Sequence, residues 1–215
     1  MDFEFWNNCW NRPSQPFHIA NAHPLLVKHL RQHFVAQEPI LVPLSGKSVD
    51  LLYLSKEGYR STAIEFNPKA VEGFIKENGL KPSIERHNQA VLYQFDDFDI
   101  WLADFFSLTA QDIGHYNQVF DRAAFVALPV ELREQYALHV QSLLKKGAVI
   151  LMVTMSYDPQ QMSGPPFYVS QQELQAFFPE ATIEPIDSVS LLDNHPRWQE
   201  LELDYLDEII YRITL

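Results

Sequence analysis

Blocks of apolar residues alternate with amphipathic stretches along this chain. Short, largely apolar runs occur at PILVPL (39–44), STAIEF (61–66), DIWLADF (99–105), YNQVFDRAAFVAL (116–128) and AVILMVT (148–154), and each reads as a buried strand. Between them, SVDLLYLSKEG (48–58), NPKAVEGFIKENG (67–79) and PVELREQYALHVQSLLKKG (129–147) have helical spacing, with glycine stops. This alternation predicts right-handed crossovers and an α/β fold with a mostly parallel central sheet, helices covering both faces. Near the end, ATIEPIDSVSL (181–191) and LDEIIYRITL (206–215) read as two more strands with no long helix between them, an antiparallel pair at the sheet edge. No internal repeat, low-complexity tract or linker interrupts the pattern, so residues 1–215 are expected to form one domain.

Residues 1–37 do not follow the alternation. FWNNCWNRPSQPFHIANAHPLL carries two tryptophans, prolines in a short loop, and then a helix from about Pro24. Trp6 and Trp10, at i and i+4, share one face of a short helix. Two readings stay open. The tryptophans anchor this extension to the domain, or they form a flap whose rings close over a ligand.

Composition narrows the class. The chain has 215 residues, 47% of them hydrophobic and 20% charged, as in soluble globular proteins. No run approaches the roughly eighteen apolar residues of a membrane span, and the MDFEFWNNCW start is unlike a signal peptide. Cys9 is the single cysteine, so no internal disulfide framework exists and a cytoplasmic location is expected. A net charge of −12 argues against a nucleic-acid partner, which would be met by a basic face. A monomer acting on a small molecule is the expectation, with neither nucleic acid nor membrane as partner.

The chemistry concentrates at VPLSGKSVDLL (42–52). Gly46-Lys47-Ser48 are the last three letters of a P-loop, but that pattern needs a glycine at position 41, where this chain has Leu41. Strand, tight turn and helix start still make a ligand site. Glu65 closes the second strand 21 residues after Leu44, about where a carboxylate accepts from two ribose hydroxyls in dinucleotide-binding folds. The glycines that a pyrophosphate requires are missing, since only Gly46 occurs between residues 39 and 57. A nucleoside with an amino-acid tail instead of a pyrophosphate fits both facts, which points to S-adenosylmethionine.

At these residues the chain resembles the thiopurine S-methyltransferase family of the bacterial kind. The likeness runs through FWNNCW…PFH, VPLSGKSVDLLYLSKEGY, AIEFNPKAVEGF, ADFFSL, FDRAAFVALP, SYDP with GPPFYV, and the terminal strand. It implies a class I S-adenosylmethionine-dependent methyltransferase fold, with S-adenosyl-L-methionine above the strand ends and a thiopurine, or an aromatic or heterocyclic thiol, as acceptor. Trp10, Leu44, Glu65 and Arg122 match the family's cofactor positions; Asp104 and Phe105 fall where the adenine is contacted, and Trp6 begins the flap. Phe17, with His18 beside it, falls near the acceptor, and Arg122 is the candidate catalytic residue as a cation favouring an anionic acceptor. Its other reading is pairing with the cofactor's carboxylate alone. An arginine that animal members place near the C-terminus aligns with Asn194, three residues before Arg197, so that role is not carried over. The family has cysteine where this chain has Ser45, and glycine where it has NRPSQP, so a different path of the flap is expected.

The remaining candidates read as structural. His29 and His33 are spaced like a metal pair, but with no third ligand a solvated helix face is expected, and no metal. Cys9 reads as a packed small residue, and His18 as a structural hydrogen-bonding group or an acceptor contact. The GPPF turn (164–167) stiffens a loop, over the acceptor pocket or as plain turn chemistry. Two rivals to the S-methyltransferase stay open: a non-catalytic nucleotide module using Gly-Lys-Ser, and a methyltransferase of another acceptor, whether oxygen, nitrogen, selenium or tellurium.

Overall fold

The apolar runs become strands in the computed structural model, which describes residues 3–12, 15, 17–192 and 196–215. Two compact units result, residues 1–116 and 117–215. The first contains α1 (Phe3–Trp10), α2 (Pro24–His33), β1 (Ile40–Pro43), α3 (Asp50–Lys56), β2 (Ser61–Glu65), α4 (Pro68–Glu77), β3 (Ser83–His87), β4 (Ala90–Gln94), β5 (Phe98–Leu102) and α5 (Ala110–Ile113). Its strands run in the order β3-β4-β5-β2-β1. β1, β2 and β5 are parallel, with Pro43 beside Ile64 and Glu65 beside Leu102. All four residues of β1 are buried, which is why its sequence is continuously apolar instead of alternating.

Helix ends follow local chemistry. Asn67 caps α4 by accepting from the Lys69 N–H at 3.0 Å, and Pro68 follows it. Gly58 and Gly79, at φ 82° and 62°, turn the chain out of α3 and α4. The antiparallel hairpin of β3 and β4 was not expected from the sequence. Every residue of β3 is exposed, so Ser-Ile-Glu-Arg-His has no buried face to leave an apolar period. His29 also departs from expectation, because it is buried instead of lying on a solvated face. It continues the stripe of Leu25, Leu26 and Leu30 that packs α2 inward.

The second unit takes up β6 (Tyr116–Asp121), α6 (Val130–Ser142), β7 (Leu144–Ser156), α7 (Gln171–Phe177), β8 (Thr182–Ser190), α8 (Pro196–Gln199) and β9 (Asp207–Thr214). Its strand order is β6-β7-β9-β8. β8 and β9 pair antiparallel as expected, with a register shift at Pro185–Asp187, where proline lacks a ladder donor. β9 also pairs antiparallel with β7. The apolar run 116–128 is two elements: the strand ends at Asp121 and a 3-10 turn follows at Phe125–Ala127. The helix expected over 129–147 stops at Ser142, and β7 opens before Gly147. No described helix is long and apolar enough to cross a membrane. Asn194 and Pro13, Ser14 and Pro16 of NRPSQP lie outside the described residues, as does the side chain of Arg197.

Candidate functional site

Three parallel strands bring three sequence-predicted residues to one edge of the first unit. Leu44 follows β1, Glu65 ends β2 and Asp104 lies two residues past β5, and these strands are neighbours. Backbone bonds lock the ends together, with Ser45 N–H donating to Ile64 O and Ala103 N–H to Glu65 O, each at 3.0 Å. Ligands of open α/β sheets bind at such carboxyl ends. The turn between β1 and α3 is strained: Leu44 has φ 47°, a left-handed conformation that costs a side-chain-bearing residue about 1–3 kcal/mol. Gly46, at φ 58°, takes the same region freely.

That turn aims its backbone at Glu65. Gly46 N–H donates to Glu65 Oε2 at 2.8 Å, and Asn67 N–H donates to Oε1 at 2.7 Å. The carboxyl is 3% exposed. Burial pushes its pKa up to about 7, against the pull of the N–H groups of Asn67, Gly46 and Phe66. Each oxygen keeps acceptor capacity beyond its backbone donor, which is what adjacent ribose hydroxyls need.

Aromatic rings cover the turn. A Cβ on Gly46 would stand 3.1 and 3.2 Å from two ring carbons of Trp10, so the absence of a side chain there lets the indole come down onto the backbone. Phe17 is edge-on to both tryptophans, its ring centroid 5.6 Å from Trp6 and 5.1 Å from Trp10. Lys69 Nζ donates to Asn11 Oδ1 and ties the end of α1 to α4. His18 N–H donates to Gln15 O at 3.0 Å, and Cys9 is buried, as expected of a packed small residue.

Asp104 is exposed and starts the 3-10 turn Phe105–Ser107, accepting from Phe106 N–H at 3.1 Å. Phe105 is fully buried. Arg122 stands in the second unit, immediately after β6 and half-buried. The described residues contain no cluster of three or more His, Cys, Asp or Glu able to hold a metal ion.

The Gly-Lys-Ser turn has other duties than phosphate. Lys47 Nζ pairs with Glu77 Oε1 at 2.8 Å, and Ser48 Oγ donates to Asp50 Oδ2 at 2.7 Å. A buried carboxylate at the turn would also repel a phosphate chain while accepting from ribose. The residues present therefore fit an adenosyl group carrying no phosphate. The place of Glu65 at the end of its strand was legible from the sequence, whereas the bond that Asn67 N–H donates to its carboxyl was not.

The chain matches the thiopurine S-methyltransferase (TPMT) family over residues 1–215. It is 36% identical over 217 residues to a thiopurine S-methyltransferase of Pseudomonas fluorescens (strain SBW25), covering 100% of both chains. Its fold is similar to a SAM-dependent methyltransferase from Anabaena variabilis, with TM-score 0.68 at 15% identity, covering 98% of this chain and 93% of that one. A second likeness is to the 1,6-didemethyltoxoflavin-N1-methyltransferase of Burkholderia thailandensis, solved with 1,6-didemethyltoxoflavin and S-adenosylhomocysteine bound. There the TM-score is 0.54 at 16% identity, covering 89% and 76% of the two chains. The fold is thus that of the S-adenosylmethionine-dependent methyltransferases.

Proposed function

The chain belongs to the thiopurine S-methyltransferase family, and from that premise we propose how its residues carry out S-adenosylmethionine-dependent methylation of a thiopurine or an aromatic or heterocyclic thiol. When bound, the cofactor supplies an activated methyl group on a sulfonium sulfur. The protein's task is then mainly alignment, and holding two reactants in line is worth roughly 7–11 kcal/mol of barrier. One observation carries the reading: a buried carboxylate, Glu65, is held against the turn at Gly46 while the turn's lysine and serine are engaged elsewhere.

In this reading Glu65 accepts from the ribose hydroxyls. The Leu44 backbone lies along the amino-acid tail, and Asp104, with the buried Phe105 behind it, meets the adenine. Trp6, Trp10 and Phe17 exclude water from the reacting sulfur, so residues 1–37 act as a flap on a single methyltransferase domain spanning 1–215. Phe17 and His18 face the acceptor. Arg122 holds the cofactor's carboxylate, a task suited to a planar guanidinium that stays charged. Aromatic thiols and thiopurines lose their proton more readily than alkyl thiols, so no strong general base is required. The protein works as a cytoplasmic monomer, without nucleic acid or membrane.

The test is methyl transfer by the purified chain to a matched panel: a thiopurine, thiophenol, phenol, aniline, selenite and tellurite. Turnover of the thiopurine and thiophenol with none of phenol or aniline is expected. Turnover confined to the oxygen, nitrogen, selenium or tellurium compounds would overturn the assignment.

A further inference from the structure

Asp121 closes β6 and Arg122 is the next residue, so whatever fixes Asp121 also fixes the base from which the Arg122 side chain starts. The Asp121 carboxylate is 1% exposed and folds back on its own chain. Its Oδ1 accepts from Ala124 N–H at 3.0 Å and Phe125 N–H at 3.2 Å, which closes a turn with Arg122 and Ala123 between its ends. Its Oδ2 accepts from the Tyr136 hydroxyl at 2.7 Å.

A second grip holds the other end of the segment. Arg133 Nε donates to Leu128 O at 3.0 Å. Arg133 and Tyr136 are three residues apart on α6, on the same buried face. Phe125 lies between them, its ring 5.8 Å from that of Tyr136 and its centroid 5.4 Å from the Arg133 guanidinium carbon. Polar groups this deep are costly to bury, and an apolar pair of similar shape would hold α6 in place as well. What the polar pair adds is direction: a carboxylate with three donors admits one turn geometry.

We propose that Tyr136 and Asp121 are positioning residues for Arg122: α6 acts through them as a splint that sets where the guanidinium meets the anionic tail of the cofactor. This rests on the reading above that Arg122 binds that carboxylate.

The test compares calorimetric affinity for S-adenosylhomocysteine with that for 5′-methylthioadenosine, which has the same nucleoside but no amino-acid tail. Arg122→Ala should weaken the first ligand and spare the second; equal effects on both would remove the premise, and the inference with it. Tyr136→Phe should then weaken S-adenosylhomocysteine about tenfold, the scale of one hydrogen bond lost to a charged group, with 5′-methylthioadenosine changed by less than about twofold. Placed on Arg122→Ala, it should produce no further loss. If Arg122→Ala discriminates between the ligands and Tyr136→Phe does not, the splint is refuted while the role of Arg122 stands. Should Tyr136→Phe fold poorly, Asp121→Ser/Tyr136→Phe removes the buried carboxyl and hydroxyl together, while the serine oxygen can still accept from the turn's N–H groups at Ala124 and Phe125. The same ligand-selective loss is expected from it, and an unselective loss or none refutes the proposal.

Discussion

Glu65 gives the sharpest prediction, because its protonation and its proposed task pull in opposite directions. Burial raises the carboxyl to about 7 from its ordinary value of 4.5. Ribose hydroxyls donate to the ionised form, so binding must draw the proton off. Affinity for S-adenosylhomocysteine should therefore rise with pH through about 7, changing about tenfold per pH unit on the acid side if only the carboxylate binds. Near pH 7, about half a proton should be released per ligand. Calorimetry between pH 5.5 and 8.5, in buffers of different ionisation enthalpy, reads both quantities. Glu65→Gln should abolish the proton release. It should also cost about 1.5–3 kcal/mol of affinity, the range for a hydrogen bond to a charged group. A wild-type affinity flat across this range, with no linked proton, would remove Glu65 from the ribose site.

The same shift acts on stability with a definite sign. Between 4.5 and about 7 the folded chain holds a proton that the unfolded chain has lost. Stability should therefore fall as pH rises through that window, by up to about 3 kcal/mol at 1.36 kcal/mol per unit, and level off above it. Asp121 adds to the slope, since burial raises it from 3.8 to about 6 against its bonds from Tyr136, Phe125 and Ala124. Glu65→Gln should flatten its share of the slope in thermal melts, and saturating S-adenosylhomocysteine should do the same in the wild type.

Further outcomes follow from the turn, the flap and the arginine. Gly46→Ala should destabilise the ligand-free protein by about 1–3 kcal/mol in denaturant melts, because the residue has φ 58° and its Cβ would meet Trp10 at 3.1 Å. Hydrogen exchange of α1 should slow on adding S-adenosylhomocysteine; equal protection with and without ligand would mean that the tryptophans only anchor the extension. Arg122→Lys and Arg122→Ala should both weaken the cofactor, Ala more than Lys, with the single-turnover rate largely restored at saturating cofactor. A rate deficit that persists at saturation and grows with the thiol pKa of substituted thiophenols would instead assign Arg122 to the acceptor anion.

The strands of the candidate site were legible because they are buried at most or all of their positions. ILVP is a continuous apolar run and STAIE is buried except at Thr62, so Leu44 just past the first and Glu65 at the end of the second sit at strand carboxyl ends. Exposed β3 left no such period. The run at 116–128 misled for the opposite reason: it is apolar on both sides of the turn, and only the carboxylate of Asp121, drawing two backbone N–H groups to itself, breaks the strand. His29 misled because a helix face is read from its apolar members, and an imidazole can complete the stripe.

Gly46-Lys47-Ser48 shows why a motif needs its surroundings before it has a chemistry. The three residues alone favour a phosphate, since a lysine and a hydroxyl following a glycine turn can serve an anion. Glu77, Asp50 and Glu65 reverse that assignment: the first takes the ammonium, the second the hydroxyl, and the third the glycine's own N–H. With its three donors committed to carboxylates, the turn presents acceptor oxygen to a ligand instead of positive charge. A turn of that polarity selects hydroxyl-bearing, uncharged groups, and the adenosine of S-adenosylmethionine brings two such hydroxyls side by side. The acidic surroundings that make the P-loop reading fail are thus the same feature that suits the site to a nucleoside without phosphate.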